Sequence, residues 1–161
     1  MPPQYCLDAD TFIQAKNRHF GMDFHPSFWA WLDQQTSAGV ICSPMLVHDE
    51  IAVGNNGLAT WVKQRLGSGL FVQPSPAVQA VVGQIADYVN ATYPLHRAQE
   101  FLAGADSWVI AQAKIDSAIV VTHETLVPSD SSKVKIPNIC QQFGVDWVDV
   151  FKMLRDLNAR F

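Results

Sequence analysis

The stretch Ala118-Ile119-Val120-Val121-Thr122-His123-Glu124 decides how the rest of the chain reads. Its apolar part is too short for a helix, is rich in β-branched residues, and directly follows a segment, 105–116, with helical periodicity. A continuous apolar strand entered straight from a helix is what a parallel sheet covered on both faces requires. The same form recurs upstream. Tyr5-Cys6-Leu7 is a short apolar run ending at the acidic pair Asp8 and Asp10, which reads as a buried strand running into a loop. Gly39-Val40-Ile41-Cys42 and Asp146 to Val148 are further strand candidates, and Gly67-Ser68-Gly69 turns into Leu70-Phe71-Val72.

Helices alternate with these strands. Phe24, Phe28, Trp31 and Leu32 recur at helical spacing with Pro26 near the first turn, which predicts an amphipathic helix over 26–36 whose aromatics belong to the core. Ser43-Pro44 offers an N-cap and a first-turn proline for a helix from Pro44 to Val53. Residues 58–66, 76–91, 105–116, a short segment from Ile136-Pro137-Asn138 to Phe143, and 150–157 complete the set. The fold expected is a three-layer α/β sandwich with a central parallel sheet, formed by one domain over 1–161. Gly67-Ser68-Gly69 follows a helix instead of opening one, so it is a turn and not a phosphate cradle.

With 161 residues, 48% of them apolar, the chain has enough side chains for a core. Cys6, Cys42 and Cys140 are odd in number, scattered and set in apolar runs, and read as reduced core residues with no zinc or redox motif. Nothing approaches the ~20 apolar residues of a membrane span, and Met1-Pro2-Pro3-Gln4 lacks a signal-peptide pattern, so a soluble cytoplasmic protein is expected. Fifteen acidic against eleven basic residues give a net charge of -4. That excludes nucleic-acid binding by blanket phosphate neutralisation and leaves local or metal-bridged contact.

The carboxylates carry the functional signal. At ~100° per residue, Glu50 falls between Leu46 and Val47 and near Val53, on an apolar stripe, while His48, Asp49 and Ala52 point elsewhere. Asp106 lines up with Val109, Ile110 and Ala113; Gly104-Ala105-Asp106-Ser107 reads equally as a helix start with Asp106 as its N-cap. Asp8 and Glu124 each follow a strand, where ligand sites of parallel sheets gather. Four such carboxylates cannot all stay ionised at close range without a cation, and an all-oxygen set suits Mg²⁺ or Mn²⁺. His48 and His123 adjoin the set without a zinc-binding spacing and read as packing or surface residues.

In order and spacing these residues resemble the PIN-like nuclease superfamily. Leu7-Asp8-Ala9-Asp10-Thr11-Phe12-Ile13 looks like its first motif, Val47-His48-Asp49-Glu50-Ile51 its second, Ala105-Asp106-Ser107-Trp108-Val109-Ile110-Ala111-Gln112-Ala113 its third, and Val120-Val121-Thr122-His123-Glu124 its fourth. Asp10 stands where Asn or Ser is usual, and Glu124 where Asp is commoner. Tyr5 to Lys16, the aromatic helix after it and Lys133 to Cys140 look like an uncharacterised bacterial branch of toxin type. The resemblance implies a metal-dependent endoribonuclease, the toxin of a toxin-antitoxin pair. It assigns Asp8, Glu50, Asp106 and Glu124 to metal binding and catalysis, Asp8 and Asp106 leading. Asp10, Thr11, Lys16, Arg18, Thr122, Lys133 and Lys135 are the substrate-contact candidates. The expected partners are RNA, an antitoxin protein and a second copy of the chain, with no membrane.

Two rival readings stand beside it. Asp8-Ala9-Asp10 followed by Thr11, with Val121-Thr122, resembles the nucleophile loop and second motif of a haloacid-dehalogenase-like phosphatase, with the threonine one position early. A catalytically inert PIN-like module that binds a partner through an acidic pocket is the other.

Overall fold

A computed structural model describes all 161 residues. Five parallel strands, β1 (Tyr5–Leu7), β2 (Ile41–Pro44), β3 (Phe71–Val72), β4 (Ile119–Val121) and β5 (Trp147–Val148), lie in the order β3-β2-β1-β4-β5. β1 is central, pairing Tyr5 with Ile41 on one side and Leu7 with Val121 on the other, and it is buried along its whole length. That explains its uniformly apolar side chains: a strand flanked and covered on both faces has no polar side to show.

Nine α-helices flank the sheet: α1 (Ala9–Gln14), α2 (Pro26–Ser37), α3 (Met45–Ala52), α4 (Gly57–Lys63), α5 (Pro76–Thr92), α6 (Leu95–Ala103), α7 (Asp106–Asp116), α8 (Ile136–Phe143) and α9 (Val150–Asp156). A π turn, Ala15–His19, extends α1. α7 carries the central packing, touching β1, β2 and β4 as well as α5, α6 and α8. Its Val109, Ile110, Ala111 and Ala113 are all buried, and the small alanines let it sit close to the strands. Phe28, Trp29, Trp31 and Leu32 of α2 join the same core, in which all three cysteines are buried and free. No helix is long and apolar enough to cross a membrane.

Some expectations need correction. The segment after Leu7 is a helix and not a loop, because Asp8 caps it: its Oδ1 accepts from the Thr11 backbone N–H at 2.7 Å. Helix α6 has no counterpart in the sequence reading. Ser43 does not cap α3; it belongs to β2 and its hydroxyl donates to the Leu7 carbonyl at 2.6 Å, pinning β2 to β1. Phe24 lies outside α2 and is exposed. On α3 the buried face is Val47, His48 and Ile51, with Glu50 exposed and Val53 at 88% exposure. The helix turns by one residue from the expected stripe because the His48 ring packs against Phe71, 5.3 Å between centroids.

Candidate active site

The sheet order places a crevice beside the carboxyl end of β1. From there the chain goes out to β2 and β3 on one side, and β4 and β5 fill the other, so the helices that follow β1 and β4 diverge at that edge. Asp8 ends β1, and Thr122-His123-Glu124 end β4. α7 brings Asp106 to the same place in its first turn, and α3 brings Glu50.

Each carboxylate is held differently. Asp8 is 1% exposed; Oδ1 caps α1, while Oδ2 is buried with no hydrogen-bond partner. Burial pushes its pKa up to about 6; the nearby Thr11 and Thr122 hydroxyls, neither in hydrogen-bond geometry with Asp8, and the Thr11 N–H oppose that rise, and the Asp10 charge adds to it. Asp106 is not the N-cap of α7. Ala105 occupies that position, and the Asp106 side chain caps nothing. Instead Glu50 reaches across from α3, and its Oε1 accepts from the Ala105 N–H at 2.7 Å. Gly104 makes room for this: a Cβ there would stand 3.0 Å from Glu50 Oε1. Glu124 acts alike on α8, accepting from the Ile136 N–H at 2.9 Å, with its own N–H donating to the Thr122 hydroxyl.

Three helix N-termini thus face the crevice with a carboxylate bound to each, and the positive ends of the helices favour that charge. Asp106 sits among them with no such partner. Its pKa rises to about 7, first through burial and then through the charges of Glu124, Asp8, Glu50 and Asp10. The charges of Asp8, Glu50 and Glu124, with that of Asp10, therefore all bear on Asp106.

The donor set fits a hard divalent cation. It is all oxygen, and the orphaned Asp8 Oδ2 is a buried acceptor that a cation would satisfy. The side chains do not yet surround one point, since no three His, Cys, Asp or Glu groups are gathered closely enough to hold one ion. Glu50 and Glu124 each have one oxygen engaged by the backbone, at Ala105 and Ile136.

The substrate candidates divide. Lys133 and Lys135 line a cavity of ≈ 310 Å³ against Asp106, together with Arg97, Glu100 and Phe101. Arg97 comes from the unforeseen α6, so one of the three cations lining the cavity beside Asp106 escaped the sequence reading. Its only sequence signal was the spacing of Arg97, Glu100 and Phe101 on one helical face. Asp10 and Arg18 line a second cavity. Thr11 and Thr122 are both buried: the Thr11 hydroxyl donates to the Val121 carbonyl at 3.0 Å, and the Thr122 hydroxyl accepts from the Glu124 N–H, so both hold the strand ends in place. Lys16 borders neither cavity. Arg65, from the dispersed basic residues, is structural: it forks onto Asp33 at 2.7 and 2.8 Å and lies over Trp61.

The dual role of Glu50 gives a test. Glu50→Gln keeps the acceptor for Ala105 and should leave stability within about 0.5 kcal/mol, whereas Glu50→Ala frees the end of α7 and should cost about 1 kcal/mol, the usual loss of a helix cap. Urea unfolding of the two variants measures the difference; equal stabilities would mean the Ala105 bond contributes nothing.

The signature of the family described as "Domain of unknown function (DUF4411)" matches residues 5–161. No curated protein matches the chain. Among solved structures, the chain is similar to one in VapBC2 from Rickettsia felis, bound to a DNA fragment from their promoter: 14% identity, TM-score 0.53, covering 90% of this chain and 97% of that one. It is similar to a chain of FitAB bound to an IR36 DNA fragment, at 20% identity and TM-score 0.53, covering 90% and 94%. FitAcB from Neisseria gonorrhoeae gives 20% identity and a TM-score of 0.50 over 89% and 95%. At these identities the likeness is one of fold, and the fold is PIN-like.

Proposed function

We propose that this chain, which belongs to the DUF4411 family, is a divalent-metal-dependent endoribonuclease working at the Asp8, Glu50, Asp106 and Glu124 crevice. The observation that carries the reading is Asp8: a wholly buried carboxylate, pinned through one oxygen and left with the other unpartnered, facing a mutually repelling acidic group. A bound Mg²⁺ or Mn²⁺ would supply Lewis-acid stabilisation of charge on a scissile phosphate and a lowered pKa for water.

The chain's own residues do the rest. Asp8 and Asp106 are the leading ligands, Asp8 fixed by the end of β1 and Asp106 by α7. Glu50 and Glu124 each keep Oε2 clear of the backbone bond that Oε1 makes, and so can complete the set or accept a proton from water. Arg97, Lys133 and Lys135 line the cavity next to Asp106, where cations can take the phosphates flanking the cleaved bond. A negative chain needs such a local wall to bring a polyanion to an acidic centre. The phosphatase reading would use Asp8 but leave Glu50 and Asp106 without work, and no observation favours it.

The direct test is incubation with RNA in Mn²⁺ or in chelator. Cleavage should require the metal, and undiminished cleavage in chelator would overturn the mechanism. Likeness to chains solved within VapBC2, FitAB and FitAcB supports a toxin role with an antitoxin partner, in the cytoplasm where the RNA is. Expression in bacteria should then arrest growth with loss of RNA, and a small protein encoded nearby should relieve it. Equal slowing by wild-type and Asp8→Asn chains would show that nuclease toxicity is not the cause.

A further inference from the structure

A second cavity, of ≈ 250 Å³, shares Asp10 with the carboxylate group and is otherwise lined by Gln14, Arg18, His19, His123 and Phe151. The π turn assembles one wall of it. α1 does not stop at Gln14 but widens over Ala15–His19, closed by the Phe20 N–H on the Ala15 carbonyl at 2.8 Å. In a continuous α-helix, Gln14 and Arg18 would share a face and His19 would lie ~100° round from Arg18. Across a turn bonded from i to i+5, His19 comes into line with Gln14 as well, and such turns are rare and concentrated at functional sites.

His123, after β4, and Phe151, on α9, supply the rest. The His19 ring stands edge-on to Phe151 at 5.0 Å and 81°, and His123 meets the same ring at 6.4 Å and 65°. Three planar rings from three separate segments therefore meet at one cavity. Arg18 beside them is exposed, with neither an ion pair nor a hydrogen bond to the protein, and its charge is permanent. The Gln14 Nε2 donates to Asp10 at 3.3 Å, which leaves its carbonyl oxygen available to a ligand.

We infer that this cavity binds one unstacked nucleotide of a single-stranded RNA next to the carboxylates, its base against the His19, Phe151 and His123 rings and its phosphate on Arg18. The inference deepens the nuclease reading and rests on it for the identity of the ligand. The cavity is smaller than the ~300–1,000 Å³ of clefts that hold drug-sized ligands, which suits one nucleotide. Paired bases keep their faces inside the helix, so stacking on protein rings selects single strands, loops and ends.

The test is binding of a fluorescein-labelled single-stranded RNA octamer of mixed sequence, and of the same sequence as a duplex, to the full chain in chelator. Phe151→Leu and the exposed-site variant His19→Ala should each weaken single-strand binding about tenfold and leave duplex binding unchanged. Arg18→Gln should weaken the single strand more than Lys63→Gln, which removes the same charge elsewhere. Wild-type affinity in His19→Ala, equal losses on the duplex, or equal losses from Arg18→Gln and Lys63→Gln would each overturn the subsite. His19 is exposed, so its variant decides the matter even if Phe151→Leu does not fold. Because binding is read without metal, failure of the nuclease reading looks different: no variant cleaves in Mn²⁺, yet the ring variants still lose the single strand.

Discussion

Asp8→Asn should reduce Mn²⁺-dependent RNA cleavage on the order of a hundredfold or more while leaving the fold intact. The substitution is nearly isosteric, and the Asn carbonyl oxygen can still accept from the Thr11 N–H, so α1 keeps its cap. What disappears is the charge at a buried carboxylate oxygen without a partner. Asp106→Asn should lose as much, since Asp106 makes no backbone bond that would give it a second, structural role. Glu124→Gln should lose less, because one of its oxygens is already engaged with Ile136. Initial rates on a defined RNA, with circular dichroism to confirm folding, measure all three. Asp8→Asn cleaving at the wild-type rate would remove Asp8 from the site and the metal mechanism with it.

β1 and β4 were legible because each is a short apolar run between polar breaks, and a strand buried on both faces has no alternation to misread, whereas β2 runs two residues past its expected end, to Pro44. Asp8 and Glu124 followed from them, since the carboxyl end of a strand is fixed once the strand is. Glu50 was singled out for a reason the structure does not support. Leu46, Val47 and Val53 suggested an inward stripe, but α3 buries Val47, His48 and Ile51 and shows Glu50 to the crevice. In a helix of eight residues with apolar side chains on most sides, periodicity cannot fix the buried face, and the His48 contact with Phe71 fixes it instead. Helix α6 was missed because only Ala98 and Phe101 of its nine residues are buried, too few for a stripe, and Arg97 was missed with it. The carboxylates' bonds to Ala105 and Ile136 span 55 and 12 residues and leave no local trace.

Asp106→Asn should raise the melting temperature of the metal-free protein by several degrees near pH 8 and hardly at all near pH 3. An ordinary Asp loses its proton near 3.8, whereas in the folded chain Asp106 holds it up to about 7. Below the lower value both states are protonated and the group has no effect. Between the two the native state binds more protons than the unfolded one, so stability falls as pH rises, and above about 7 the full penalty is present. Each pH unit separating the folded from the unfolded value is worth ~1.4 kcal/mol, so the penalty is on the order of a few kcal/mol, and each kcal/mol moves the midpoint of a domain this size by ~2–4 °C. Asp8, raised to about 6, adds a smaller fall in the same direction. Millimolar Mn²⁺ should raise the wild-type midpoint more than the variant's, because a ligand of the native state stabilises according to its affinity and the variant has lost one charge of the site. Thermal melts of both proteins across that pH range, with Mn²⁺ and with chelator, read every arm. A variant whose midpoint tracks the wild type at all pH values, with an equal Mn²⁺ response, would mean that Asp106 neither feels the other carboxylates nor joins them around an ion.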